Sequence, residues 1–202
     1  AMQEAHVAGV TLKGIVTCIR HFGPEKARET AKCAAETASD WIVGFGMGGA
    51  EDVGRATDFS YAFDIAREAG LRLTSHAGEW GGSKSVWETV NDLKVERIGH
   101  GVHSINDLNL VRYLAETGIV LEVNPGSNVS LGVFHSFAEH PIAKLRDAGV
   151  KVTVSTDDPP FFHTTMTREF EELERAFGWG SDDFKRLNQT ALEAAFCDAT
   201  TK

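Results

Sequence analysis

Short apolar runs alternate along the chain with longer segments of helical periodicity. Each run is rich in β-branched residues, ends at a turn that contains polar residues, and precedes a segment whose apolar residues recur at helical spacing. Because parallel strands need a long crossover connection, this alternation predicts an α/β fold with a parallel sheet. The six predicted strands are Leu12–Ile19, Trp41–Phe45, Leu71–Ser75, Val95–Gly99, Ile119–Val123 and Val150–Ser155.

Three of the predicted helices can be placed, and two of them have a recognisable end. One opens at Pro24, where the missing backbone N–H costs nothing, and continues with alanines at helical spacing. A second begins at Ser104, with Asp107 three residues on as in a capping box, and ends at Gly118. A third occupies residues 181–195.

Two architectures fit this alternation, an open doubly wound sheet and a (β/α)8 barrel of the TIM type. A complete barrel needs about 250 residues, whereas six strand–helix units already fill the 202 residues of this chain. The barrel interpretation therefore predicts an incomplete barrel with about six of the eight units. Residues 1–9 resemble the end of a helix with no element before it, so we expect the C-terminal part of a longer protein. The sequence contains no linker, and residues 1–202 are predicted to be one domain.

Composition and charge exclude several classes of function. With 20 Lys and Arg against 29 Asp and Glu, the formal net charge is −9, which disfavours binding to nucleic acid or anionic lipid. No apolar run approaches the roughly 20 residues that cross a bilayer, and no signal segment opens the chain. The cysteines Cys18, Cys33 and Cys197 show no metal or disulfide spacing, so we expect buried, reduced thiols and a cytoplasmic protein.

Polar side chains follow several of the predicted strands at their carboxyl ends. His76 and Glu79 follow the third strand, His100 follows the fourth, and Asp157 and Asp158 follow the sixth. Each residue alone has an ordinary structural explanation, as a core histidine or a turn residue. Since the active site of a parallel α/β fold forms at the carboxyl ends of its strands, we expect a shared site. The glycine-rich segment Gly46–Gly49 is either a tight turn or a close approach to a ligand.

The residue types in this set point to metal-assisted chemistry. His76, His100 and Asp157 offer the nitrogen and oxygen ligands that suit zinc. Glu79 lies three residues beyond His76 and suits a general acid or base. If one histidine acts as a base, however, the chain falls short of the three protein ligands of a catalytic zinc.

Three ordered motifs give the chain its resemblance to a known family. His76-Ala77-Gly78-Glu79, Gly99-His100-Gly101 and Ser155-Thr156-Asp157-Asp158-Pro159 resemble the adenosine deaminase family of metal-dependent barrel hydrolases. The resemblance extends from Ile15 to about Cys197, and includes the segment Asn124–Asn128.

The resemblance implies a role for each residue in the deamination of adenosine to inosine and ammonia. His76 and Asp157 would be Zn²⁺ ligands, and His100 would orient or deprotonate the zinc-bound water. Glu79 would protonate purine N1 as water adds to C6. Asp158 would hydrogen-bond purine N7, and the backbone of Gly49 would approach N3.

One departure from the family leaves alternatives open. The family carries a His-x-His pair on its first strand, and this sequence contains none. Asn124 also replaces a cysteine found in many relatives, which we expect to be tolerated. The substrate is adenosine, free adenine or another 6-substituted purine. Alternatively, the chain is an inactive barrel fragment without a complete metal site, which binds a ligand or pairs with a second copy through open sheet edges.

The remaining histidines and aromatic residues have simpler interpretations. His103, His135, His140 and His163 are predicted to be loop or capping residues. Phe134, Phe161 and Phe162 could wall an aromatic base, but core packing is favoured. The acidic run Glu169–Glu174 is predicted to be a solvated helix face.

Overall fold

The computed structural model describes residues 2–202 and contains six parallel strands separated by helices. The strands are β1 Gly14–Ile19, β2 Ile42–Gly48, β3 Arg72–Ala77, β4 Arg97–His100, β5 Val120–Val123 and β6 Val152–Val154. The α-helices are α1 Met2–Val7, α2 Gly23–Glu36, α3 Ser60–Glu68, α4 Gly82–Glu88, α5 Leu108–Thr117, α6 Pro125–Ser130, α7 Ile142–Asp147, α8 Pro159–Phe162, α9 Met166–Phe177 and α10 Ser181–Ala194. Short 3₁₀ segments occupy Arg20–Phe22, Ala56–Phe59, Val102–Asn106 and Phe137–Glu139, and a π-helical turn occupies Thr89–Leu93.

The strand order decides between the two predicted architectures. The strands follow the order β1-β2-β3-β4-β5-β6, so each strand lies beside its neighbours in sequence. A doubly wound sheet reverses its order at a switch point, and this sheet does not. The α/β prediction is confirmed, and the arrangement is that of about six consecutive units of a (β/α)8 barrel.

All six predicted strands are present, but several of their ends differ from the prediction. β2 continues through the glycine-rich segment, because Gly46 pairs with Thr17 of β1 and with Thr74 of β3. The chain turns only at Gly49, which has a φ of 94°, so the predicted turn begins later than Gly46. His76 and His100 also lie inside the last residues of β3 and β4. Their side chains are consequently held by strand backbone instead of by a loop.

Contacts divide the chain into two compact units, which are described separately. The first unit comprises the chain up to Ser75 together with Glu88–Glu96 and Ala195–Lys202, and the second comprises His76–Trp87 and Arg97–Ala194. The expectation of a single domain over residues 1–202 stays a prediction.

The first unit is built on helix α2 and the strands beside it. Pro24 lies in the first turn of α2, as predicted, and the helix buries Ala27, Ala31 and Ala34. These small side chains let α2 lie against β1 and α3. The core also contains Phe45 and Phe63, whose rings meet edge to face with centroids 5.3 Å apart.

Helix α5 of the second unit begins later than predicted. Its N-cap is Asp107, whose carboxylate accepts from the backbone N–H groups of Asn109 and Leu110. Ser104 is buried inside the 3₁₀ segment before it. The prediction that this helix starts at Ser104 is therefore wrong. Asp107 is itself a strong N-cap, because its carboxylate lies two to three residues before the backbone N–H groups that need a partner. The predicted stop at Gly118 is confirmed, with a φ of 70°.

The three cysteines agree only in part with the expectation of buried, reduced thiols. All three cysteines are free thiols, and Cys18 is buried, which raises its pKa to about 11. Cys33 is exposed, so the expectation of burial is wrong for this residue.

Within residues 2–202, no helix is both long enough and apolar enough to pass through a membrane.

Candidate active site

The second unit brings together four of the polar residues predicted from the strand ends. Nε2 of His100 lies 3.5 Å from Glu79 Oε2 and 4.0 Å from Asp157 Oδ2. The rings of His76 and His100 meet edge to face, with centroids 4.8 Å apart. His100 is 1% exposed, whereas the carboxylates of Glu79 and Asp157 are partly exposed. Two imidazoles and two carboxylates therefore form one cluster at the carboxyl ends of β3, β4 and β6.

A glycine beside this cluster leaves space for His76. A Cβ on Gly99 would collide with Cδ2 of the His76 ring and would lie 3.2 Å from its Nε2. Gly99 precedes His100 in β4, so the same strand that carries one histidine makes room for the other. The Gly-His pair in the sequence is explained by this packing.

Two residues of the cluster have unusual backbone conformations. His100 has a φ of 64° and Asp157 a φ of 59°. Non-glycine residues seldom adopt the left-handed region, and such strain persists where the surrounding structure holds it, often at functional sites. Among the described residues, the only other non-glycine residues with positive φ are Lys94 and His163.

Residues of helix α6 and its N-cap complete the cluster, and sequence reasoning did not give them a role. Ser127 Oγ donates to Asp157 Oδ2 over 2.8 Å. Asn128 Nδ2 lies 3.2 Å from His100 Nδ1 and 3.3 Å from Glu79 Oε1. Asn124 Nδ2 lies 3.5 Å from the same nitrogen of His100. A helix that begins at Pro125 places residues 124, 127 and 128 on one face. The proline after Asn124 was therefore the sequence signal that could have predicted this arrangement.

His140 is the second residue that the sequence left without a functional role. It is 2% exposed, and its Nε2 lies 3.2 Å from Asn128 Oδ1. Its Nδ1 accepts from the backbone N–H of Ile142 over 3.2 Å, so it does cap helix α7 as predicted. Burial first, and then the charges of His100 and His103, lower the pKa of His140 to about 3.

Glu169 corrects the prediction of a solvated acidic face on residues 169–174. Its side chain is fully buried in α9, and accepts from the N–H of Gly126 over 2.9 Å and from Thr164 Oγ over 2.7 Å. Burial raises the pKa of this carboxyl. A Cβ on Gly126 would collide with Oε1 of Glu169, so α6 must approach the carboxylate closely. Glu169 thereby fixes the first turn of the helix that carries Ser127 and Asn128.

The other histidines and aromatic residues are mostly peripheral. His135 and His163 are exposed, and His163 follows the short helix α8, as expected of loop or capping residues. His103 Nδ1 lies 3.1 Å from the Gly78 carbonyl oxygen, and its ring stacks on Phe134. Phe161 is 78% exposed, so the prediction of core packing is wrong there.

The two predicted substrate-binding residues occupy different places. Asp158 is exposed and precedes helix α8 directly after Asp157. Gly49 belongs to the first unit, where it follows β2. A Cβ on Gly49 would lie 2.9 Å from His21 Nδ1, so only glycine fits beside that ring. Their contacts with a purine stay predictions.

The donor types of the cluster fit zinc, but the number of donors is incomplete. His76 supplies nitrogen and Asp157 supplies oxygen, which are borderline and hard ligands that zinc accepts. Over residues 2–202, no group of three or more His, Cys, Asp or Glu side chains is placed to hold a metal ion. A catalytic zinc takes three protein ligands, so the described residues provide part of a site.

The fold is that of the barrel proteins of the adenosine deaminase type, and the cluster lies at the carboxyl ends of its strands. The sequence profile described as "Adenosine deaminase" matches residues 1–202, and the chain belongs to the adenosine deaminase family.

Known relatives agree with this assignment. An adenine deaminase of Rhizobium rhizogenes is 52% identical over 195 residues, which cover 96% of this chain and 61% of the relative. The crystal structure of adenine deaminase from Arthrobacter aurescens superimposes with a TM-score of 0.93 at 28% identity, covering 98% of this chain and 61% of the other. An amidohydrolase from Burkholderia ambifaria with bound zinc gives a TM-score of 0.91 at 29% identity, over 99% of this chain and 56% of the other. The chain therefore spans about three fifths of the length of these proteins.

Proposed function

We propose that the full-length protein catalyses hydrolytic deamination of a 6-aminopurine, with free adenine as the substrate. The oxygen of water bonds to C6, the C6–N6 bond breaks, and the products are ammonia and a 6-oxopurine. The observation that carries this proposal is the cluster of Glu79, His100 and Asp157, with both carboxylates within 4.0 Å of one imidazole nitrogen. Such a cluster combines a proton donor or acceptor with groups that can orient water.

The choice of adenine over adenosine rests on the relatives. The adenine deaminase of Rhizobium rhizogenes shares 52% of its aligned residues with this chain, whereas the resemblance in the motifs alone pointed to adenosine. Adenosine is the second candidate, because the family description carries that name. The two substrates differ only in the ribose at N9, which an adenine deaminase does not need to bind.

The residues of the chain have separate roles in this proposal. Glu79 transfers a proton to purine N1, which makes C6 more electrophilic. Asp158 hydrogen-bonds N7. His100 orients the attacking water or takes its proton, which are the two roles that the motif allows.

His76 and Asp157 would hold the zinc ion, together with a further donor that residues 2–202 do not place beside them. When bound, zinc supplies Lewis acidity, which makes water a stronger nucleophile near neutral pH. Ser127 supports this arrangement, because its hydroxyl donates to Asp157 Oδ2 and holds that carboxylate in one orientation.

The test is a comparison of adenine and adenosine as substrates of the purified full-length protein. Ammonia release is measured with each, and the 6-oxo products are separated by chromatography. Turnover of adenine with little turnover of adenosine is the expected result. A higher kcat/KM for adenosine would assign the second candidate, and release of ammonia from neither would reject both.

Self-association through unpaired sheet edges stays a separate prediction. β1 and β6 are the first and last strands in the sheet order, and an unpaired edge strand favours pairing with another chain. Light scattering over a range of protein concentrations measures whether the mass exceeds that of a monomer.

A further inference from the structure

A chain of hydrogen bonds leads from the backbone of helix α7 to the ring of His100. The N–H of Ile142 lies 3.2 Å from His140 Nδ1, and His140 Nε2 lies 3.2 Å from Asn128 Oδ1. Asn128 Nδ2 then lies 3.2 Å from His100 Nδ1. The side chains of His140, Asn128 and His100 are 2%, 0% and 1% exposed, so water does not compete for these bonds.

The backbone end of this hydrogen-bond chain sets its direction. A backbone N–H only donates, so His140 Nδ1 accepts and carries no proton. Burial keeps the His140 ring neutral, since its pKa is lowered to about 3. The ring proton therefore lies on Nε2 and is donated to Asn128 Oδ1. This bond fixes which end of the Asn128 amide is oxygen, an assignment that otherwise depends on the surrounding network.

The orientation of the Asn128 amide determines the tautomer of His100. With its oxygen bound to His140, Asn128 presents its NH₂ group to His100 Nδ1 and to Glu79 Oε1. Nδ1 of His100 therefore accepts, and a neutral imidazole that accepts at one nitrogen carries its proton on the other. That proton lies on Nε2, which faces Glu79 Oε2 at 3.5 Å and Asp157 Oδ2 at 4.0 Å.

We propose that His140 and Asn128 are positioning residues that hold His100 as the Nε2–H tautomer, so that His100 donates a hydrogen bond in the reaction and does not remove a proton from water. The inference rests on the proposed deamination and chooses between the two roles open to His100. Glu79 gives its proton to N1 as the water oxygen bonds to C6. The carboxylate that results takes the proton released when the water O–H bond breaks, so the step consumes no net proton. The Asn128 amide orients both partners, because it also donates to Glu79 Oε1.

The tautomer is tested directly by NMR of the full-length protein labelled with ¹⁵N-histidine. Ring nitrogens with and without a proton differ strongly in chemical shift, and His100 is assigned by the signals lost in His100→Gln. We expect an unprotonated Nδ1 and a protonated Nε2. In Asn128→Asp the carboxylate can only accept, so Nδ1 of His100 becomes protonated. The matched variant Asn188→Asp changes an exposed residue of α10 and leaves the pattern unchanged. A protonated Nδ1 in the wild type, or an unprotonated Nδ1 in Asn128→Asp, would overturn the proposal.

Kinetics distinguish positioning from a general structural role. His140→Phe keeps a ring against Phe134, whose centroid is 4.9 Å away, but removes the donor to Asn128. We expect kcat to fall about 10- to 100-fold with KM unchanged, the usual cost of losing a group that orients another. His140→Gln restores an N–H donor and recovers most of kcat. Equal losses in both variants, or a change confined to KM, would contradict the role. If the wild type deaminates no purine, the proposed function fails while the NMR result still decides the tautomer.

Discussion

The ring of His76 occupies the space that a side chain at residue 99 would need. A Cβ at that position would collide with Cδ2 of the ring and lie 3.2 Å from Nε2. We therefore expect Gly99→Ala to displace His76 and weaken zinc binding by the full-length protein about 10-fold or more, since a misoriented ligand loses affinity. Overpacking would also cost about 1–3 kcal/mol of stability.

Zinc content after dialysis and thermal unfolding measure the two effects of Gly99→Ala. Gly180→Ala is the matched control, because a Cβ on Gly180 meets no atom within 4 Å and its φ is not positive. Equal zinc content in the two variants would show that the contact between residues 76 and 99 does not hold the ligand.

Glu79 is expected to act in proton transfer and not in metal binding. Glu79→Gln keeps the size of the side chain but cannot carry a proton between water and N1. Turnover should fall about 10²- to 10⁴-fold, the usual contribution of a general acid or base, while zinc content stays the same. Glu116→Gln changes an exposed carboxylate of α5 and should leave turnover intact. Substantial activity in Glu79→Gln would reject this role.

The buried carboxyl of Glu169 is expected to stabilise the start of α6. Glu169→Ala leaves the N–H of Gly126 and the hydroxyl of Thr164 without their partner. Each buried polar group without a partner costs about 1–3 kcal/mol, so denaturant unfolding should show a loss of about 2–4 kcal/mol. Glu169→Gln can keep both hydrogen bonds and should cost much less. Glu174→Ala, an exposed position of the same helix, is the control; a similar loss there would contradict the assignment.

His140 predicts a specific loss of stability in acid. Its pKa is about 3 in the folded protein and about 6.5 in the unfolded protein. Between pH 6.5 and pH 3, the His140 ring is therefore protonated in the unfolded state and neutral in the folded state. The contribution is complete above pH 6.5 and decreases as the pH falls towards 3. Between pH 7 and pH 5, the free energy of unfolding of the wild type should fall by about 2 kcal/mol more than that of His140→Phe. Each pH unit below 6.5 contributes about 1.4 kcal/mol to this difference. Urea unfolding at each pH checks this, with the exposed His135→Gln as control; parallel losses in wild type and His140→Phe would refute it.

The 202-residue chain expressed alone is expected to bind zinc weakly. His76 and Asp157 are two donors, and no group of three potential ligands is placed for a metal within residues 2–202. A catalytic zinc needs three protein ligands. Equilibrium dialysis should therefore find much weaker binding than in the full-length protein. Tight binding of one zinc per chain would show that a further donor lies within these residues.

Sequence reasoning succeeded where the physical signal is local. The alternation of apolar runs with helical segments identified all six strands, and the polar residues after those strands identified the cluster of His76, Glu79, His100 and Asp157. It failed where burial depends on a distant partner. Glu169 lies in an acidic run that is ordinary for a solvated helix, and only the approach of Gly126 makes its burial favourable.

The sequence by itself determined the α/β class and the set of chemical groups at the strand ends, because hydrophobic periodicity and strand direction place those groups at one edge. The tertiary structure decided the strand order, the left-handed backbone at His100 and Asp157, and the hydrogen bonds of Asn128 with His140 and His100. These features join residues that are distant in sequence. The direction of a hydrogen bond depends on which atoms meet in space, and no pattern along the chain records it.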